Sequence, residues 1–291
     1  MPLILLLACA FRGVELEHAE VAELELVRVQ GDGRLFVALD NAWGETIWFV
    51  DTGYSDTTCD QAWVEGLGVS HRATLYASRG LGMVRLRKAE LPPFTLGGHQ
   101  VLALPCAVRD LAATSSVPEG VAGVLGTNLL REFVVEIDRT DGVIRLHDPA
   151  LWRGETDFQL RREAGTPRLR APVTLDGHTT WPVIDTGASS SWLQTGRMDL
   201  TELEPRELMV SGTGSSGPRV QTTRVFEASA AMLGGLDSGP IEVYRRESVL
   251  RDPLVGMDLI GRYDLVLDYP NRAAAVTLSD PARLRRVRPA D

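Results

Sequence analysis

The chain has 291 residues, 44% of them hydrophobic and 24% charged, enough apolar material for one large or two moderate cores. A formal net charge of −9 at pH 7 speaks against a general nucleic-acid partner. The five histidines, His18, His71, His99, His147 and His178, lack the close spacing of a zinc site, so no metal site is expected; no organic cofactor is expected either.

In chain order, the first stretch is Met1-Pro2-Leu3-Ile4-Leu5-Leu6-Leu7-Ala8-Cys9, apolar and far too short to span a bilayer. Leu6-Leu7-Ala8-Cys9 resembles a bacterial lipobox, although no basic segment precedes it. Residues 1–9 are therefore expected to be a lipoprotein signal, with lipid on Cys9 and the protein anchored in the cell envelope, at the periplasmic face or the outer surface. Without that signal the expected place is the cytoplasm. The acidic stretch from Phe11 to Glu23 reads equally as tether, prosegment or first strand.

Beyond it, apolar and polar residues alternate, as in Arg34-Leu35-Phe36-Val37-Ala38-Leu39 and Val84-Arg85-Leu86-Arg87. Glycine turn signals recur at Gly31-Asp32-Gly33, Gly97-Gly98, Asp141-Gly142 and Asp176-Gly177. The chain is thus predicted to be mostly β. An apolar run ending in Phe49-Val50 leads into Asp51-Thr52-Gly53, and Val183-Ile184 leads into Asp185-Thr186-Gly187. A buried strand stopped by an acid and a glycine delivers a carboxylate into a tight turn at the core's edge.

The repetition is what carries weight. Val124-Leu125-Gly126 answers to Leu254-Val255-Gly256, Leu129-Leu130 to Leu259-Ile260, Phe133 to Tyr263, and Ile137-Asp138 to Leu267-Asp268, all offset by 130. The two acidic motifs are offset by 134, from 51 to 185. One folding unit has been duplicated. Short helices are predicted over Thr127–Phe133, capped by Thr127, and over Met257–Tyr263. The boundary between units falls in the breaker-rich stretch 148–155. Four arginines from Arg283 to Arg288 read as a solvated tail.

Two carboxylates brought within a few ångströms cannot both ionise, so they share a proton and hold a water between a base and an acid. On these motifs the chain resembles the pepsin and retropepsin clan of aspartic peptidases, and more closely the bacterial retropepsin-like proteins with two units in one polypeptide. The resemblance covers roughly residues 24 to 280. It implies an all-β fold of two pseudo-symmetric β-barrel lobes, residues 10–153 and 154–291, with the active-site cleft between them. It makes Asp51 and Asp185 the catalytic dyad. Thr52 and Thr186 would bond across the lobe interface, and Gly53 and Gly187 would supply backbone freedom to the turns. Flap tips are expected at Gly80-Leu81-Gly82 and Gly212-Thr213-Gly214, with ordinary glycine turns as the plain alternative. Gly212, Gly214 and Gly217 also spell a dinucleotide fingerprint, but Pro218 and the lack of a βαβ pattern speak against it. The chain departs from pepsin-like enzymes three residues after each Asp, where Tyr54 and Ala188 replace a frequent Ser or Thr; Ala there is retropepsin-like.

Cys59 and Cys106 form an even pair, either a disulfide in an oxidising compartment or buried thiols in a reducing one. Trp43, Trp48, Trp181 and Trp192 are expected in the lobe cores, with one or two lining substrate pockets. The expected function is that of an aspartic endopeptidase acting as a monomer on a peptide or protein. The alternative is a catalytically weak pseudo-peptidase lipoprotein that binds peptides in the same cleft.

Overall fold

A computed structural model of the chain describes residues 13–29, 32–78, 82–113, 117–210, 219–246, 252–280 and 288–289. Strands account for 52% and helices for 6%. Val21–Arg28 alternates, with Ala22, Leu24 and Leu26 buried and the residues between them exposed, whereas in the expected alternating run Arg34–Leu39 the successive Leu35, Phe36 and Val37 are all buried. Asp176, at φ 44°, and Gly177, at φ 84°, close the hairpin in which Leu175 faces His178; both central residues carry the positive φ of a tight hairpin turn.

The two halves repeat one strand order. In the first, Gly44–Val50 lies parallel to Val121–Leu125, which runs antiparallel to Thr58–Asp60. Thr58–Asp60 is parallel to His99–Arg109, and the hairpin of Arg72–Ser78 and Gly82–Leu91 completes that edge. In the second, Val183–Ile184 lies parallel to Leu254–Val255, which runs antiparallel to Trp192–Leu193. Trp192–Leu193 is parallel to Ile241–Arg245, followed by the hairpin of Thr201–Val210 and Arg219–Ala228. Every parallel and antiparallel sense is the same.

The halves meet where Val134–Asp138 pairs antiparallel with Tyr263–Asp268, with Val135 opposite Leu267 and Ile137 opposite Leu265. An offset of 130 turns 135 into 265 and 137 into 267, so each pair is the image of the other about a local twofold. The duplication read in the sequence is therefore the symmetry of the seam between the two halves. These strands lie in a 16-stranded sheet, beside an eight-stranded and a four-stranded one among the described residues. One apolar core crosses the seam and includes Trp48, Phe133, Ile137, Ile184, Leu259, Tyr263 and Leu267.

Four local expectations are corrected. The two predicted helices are single turns, Thr127–Leu130 and Met257–Ile260, and Gly126 and Gly256 stand at their N-caps. Thr127 does not cap, because its hydroxyl donates to the Tyr54 carbonyl at 2.9 Å. A third helix, Gln61–Gly66, was not predicted; the Asp60 carboxylate caps it, accepting from the backbone N–H of Ala62 and Trp63. The basic end is not wholly a free tail, since Arg288–Pro289 pairs with Val27–Arg28 in parallel.

Cys59 and Cys106, both buried, are joined as a disulfide with a Cα–Cα distance of 6.0 Å. His99 is a satisfied core histidine: Nδ1 accepts from Ala19 N–H at 2.9 Å, and Nε2 lies 2.9 Å from the Leu146 carbonyl. Trp48 is fully buried against Trp63, whereas Trp192 tilts against Tyr244 at 5.3 Å.

Candidate active site

Each motif leaves the end of its strand held by the parallel neighbour. Asp51 N–H donates to Leu125 O at 3.1 Å and Asp185 N–H to Val255 O at 3.0 Å. Each then turns back on itself, Gly53 N–H donating to Asp51 Oδ1 at 2.8 Å and Gly187 N–H to Asp185 Oδ1 at 3.0 Å. These are Asx-type turns, which aim the carboxylates away from their own strands.

Thr52 and Thr186 join the two turns across the seam. Thr52 Oγ1 donates to Ile184 O at 2.8 Å and accepts from Thr186 N–H at 3.1 Å. Reciprocally, Thr186 Oγ1 donates to Val50 O at 2.7 Å and accepts from Thr52 N–H at 3.0 Å. All four groups are buried, so each hydroxyl satisfies a donor and an acceptor that water does not reach.

The glycines serve a purpose other than the expected one. Neither Gly53 nor Gly187 has a positive φ. A Cβ on Gly53 would lie 2.2 Å from Asp185 Cγ, and one on Gly187 would lie 2.3 Å from Asp51 Cγ. The missing side chain makes room for the opposite carboxylate, and backbone freedom is not what the position requires.

Asp51 and Asp185 are thereby brought together, each carboxyl lying against the glycine of the opposite turn. Burial, followed by the negative charge of Asp185, pushes Asp51 well above the ordinary carboxyl range. Burial also raises Asp185, against the opposing pull of Gly187 N–H and of the Arg168 and Arg246 charges. The pair holds one proton more readily than two separate carboxyls would.

Tyr54 leaves the first turn intact. Its N–H meets Asp51 O at 3.4 Å, as Ala188 N–H meets Asp185 O at 3.2 Å, and its carbonyl receives Thr127 N–H as the Ala188 carbonyl receives Met257 N–H. The half-buried phenol has its pKa raised by desolvation.

Sequence reasoning missed a supporting pair. Asn128 Oδ1 accepts from Thr57 N–H at 2.6 Å and from Thr57 Oγ1 at 2.9 Å. In the second half, Asp258 accepts from Ser191 N–H at 2.7 Å and Ser191 Oγ at 2.6 Å. Thr57 and Ser191 share the motif offset of 134, and Asn128 and Asp258 the block offset of 130. The two registers would have found them.

The expected flap tips are divided. Gly82 opens the strand Gly82–Leu91 opposite Ser78, while Gly80, Leu81, Gly212, Thr213 and Gly214 lie outside the described residues, as does Cys9. The described strands on either side, Arg72–Ser78 with Gly82–Leu91 and Thr201–Val210 with Arg219–Ala228, pair antiparallel in equivalent places. Among the described residues no group of three or more His, Cys, Asp or Glu is placed to hold a metal, and no helix is long and apolar enough to cross a membrane.

No curated protein matches the chain. Residues 171–259, which span the second Asp-Thr-Gly, its hairpin and Leu254-Val255-Gly256, match the model of a family described as aspartyl protease. On that match the second half is similar to the aspartyl proteases, and the first half repeats its strand order around a second copy of the motif.

Proposed function

We propose that the chain is an aspartic endopeptidase whose water is activated between Asp51 and Asp185. The observation that carries the proposal is the pair of carboxyls, each lying against the opposite motif's glycine, that face each other about a local twofold and are both raised by desolvation. Desolvation and mutual repulsion raise the pair, so the two carboxyls share one proton. Arg168 and Arg246 favour the anion at Asp185. Asp185 then takes a proton from water as its oxygen attacks the scissile carbonyl carbon, and Asp51 gives its proton to the carbonyl oxygen. Collapse of the tetrahedral diol returns a proton to Asp51 from one hydroxyl, and Asp185 delivers its proton to the leaving nitrogen as the C–N bond breaks. The peptide lies extended between the hairpins Arg72–Ser78/Gly82–Leu91 and Thr201–Val210/Arg219–Ala228, whose strands offer backbone pairing. Because one chain supplies both aspartates, a monomer has a complete site.

Incubation with a random peptide pool across about pH 3 to 8 tests this, with internal cleavage that a statine-type inhibitor blocks as the expected result. Binding of peptides without cleavage at any pH would support the pseudo-peptidase alternative instead. The same proposal places the protein in the cell envelope through lipid on Cys9. Mass spectrometry of native protein should then find a diacylglyceryl group on an N-terminal cysteine, and an unmodified Met1 contradicts the anchor.

A further inference from the structure

A further pair of residues shares the motif offset of 134: Arg34 and Arg168. Each guanidinium reaches over the seam to the other half's motif. Arg34 Nη1 donates to the Gly187 carbonyl at 3.2 Å, and Arg168 Nη1 donates to the Gly53 carbonyl at 3.3 Å. These are the glycines whose missing side chains admit the opposite aspartates.

The two arginines are anchored by different means. Asp32 accepts Arg34 Nε at 2.9 Å and the Arg34 N–H at 2.9 Å, and it also pairs with Nη2. The residue equivalent to Asp32 in the second half is Thr166, whose Oγ1 still accepts the Arg168 N–H, at 3.3 Å, but brings no charge. There the carboxylates come from elsewhere: Glu163 accepts Arg168 Nε at 2.6 Å and Asp252 accepts Nη2 at 3.1 Å. Glu163 is only 4% exposed, a costly place for a carboxylate unless it is paired. Two unlike anchors hold a like guanidinium in a like place, which indicates that its position is what matters. A planar fork that binds a carboxylate on one edge and a carbonyl with its remaining N–H is specific to arginine.

Resting on the peptidase reading above, we infer that Arg34 and Arg168 are positioning residues forming a duplicated inter-lobe clamp that holds each Asp-Thr-Gly turn against the opposite aspartate. Removing one lets the turn it holds drift, and an ångström of drift at a reacting centre is expensive. The clamp also has an electrostatic effect. Asp51 faces Asp185 and Arg34, Asp185 faces Asp51, Arg168 and Arg246, and the Tyr54 and Tyr269 phenols lie near Asp51. Each clamp charge favours the anion of its own lobe's aspartate, so its loss raises the dyad's proton affinity.

The test uses the full chain with Arg34→Gln, Arg168→Gln and the corresponding Lys variants. Dyad ionisation is followed by carboxyl 13C NMR, and kcat and KM are measured separately. Each Gln variant should lower kcat roughly tenfold to a hundredfold at little cost in KM, and should move the dyad titration to higher pH. Lys should restore the titration but not kcat, because a point charge lacks the fork. Arg170 still bonds Glu163 at 2.7 Å when Arg168 is gone, which preserves the fold, and should a Gln variant not fold, the Lys variant decides through kcat. Gln variants with wild-type kcat and titration overturn the clamp, as does a loss of kcat with an unmoved titration. If the wild type cleaves no peptide, the peptidase reading fails while the NMR titration still decides the clamp.

Discussion

Thr52 and Thr186 bear the seam's most densely bonded contacts, each hydroxyl acting as donor and acceptor for the other half's backbone. Thr186→Ala leaves Val50 O and Thr52 N–H buried without partners, at about 1–3 kcal/mol for each orphaned group. Urea unfolding should show a loss of about 2–4 kcal/mol on that basis, with Thr186→Ser much closer to wild type. The dyad acts on stability in the opposite sense. Burial raises both aspartates, so between their unfolded and folded pKa values the native state binds more protons than the unfolded one, and stability falls as pH rises through the folded values. Asp51→Asn removes that ionisation cost. It should melt higher than wild type at pH 7 and about equal to it near pH 3; a lower melting temperature at pH 7 contradicts the raised values.

Among the elements, the short strand Thr58–Asp60 directly follows the first motif and is pinned by the Cys59–Cys106 bridge to His99–Arg109, the strand that supports the first hairpin. Cys59 and Cys106 are 47 residues apart, so in the chain-entropy model reduction removes about 4 kcal/mol. Denaturation with and without reductant measures this. Much of this level was legible in sequence, because both motif strands and the Val124-Leu125-Gly126 and Leu254-Val255-Gly256 segments are apolar runs with fixed punctuation. The hairpins were legible as alternating strands around glycines. Helix length was not, since Phe133 and Tyr263 are carried into the core by the seam, which ends each helix after one turn. Gly53 was read for the wrong reason, because the group that crowds it lies 132 residues away at Asp185. Arg34 and Arg168 escaped notice because surface-like arginines carry no motif, although Arg34-Leu35 and Arg168-Leu169 stand at the same offset as the aspartates.

At the scale of the whole molecule, a single register of 130 residues runs the seam and one of 134 runs the site, so two sets of residues meet about one axis. The axis makes the aspartates neighbours, and the surroundings make them unequal through Arg34 on one side and Arg168 with Arg246 on the other. Burial raises the pair while Tyr54 and Ala188 bring no hydroxyl donor of the Ser or Thr kind. Activity is therefore expected to peak at about pH 4 to 6.5. A kcat/KM profile with its maximum near pH 2 or pH 9 would show that this environment does not set the dyad's proton affinity. The most direct measurement is peptide turnover by Asp51→Asn and Asp185→Asn, each checked for native structure by circular dichroism. One carboxyl cannot be both base and acid to the same water, so both variants should fall by at least about a hundredfold while remaining folded; near wild-type turnover in either contradicts a shared-proton dyad.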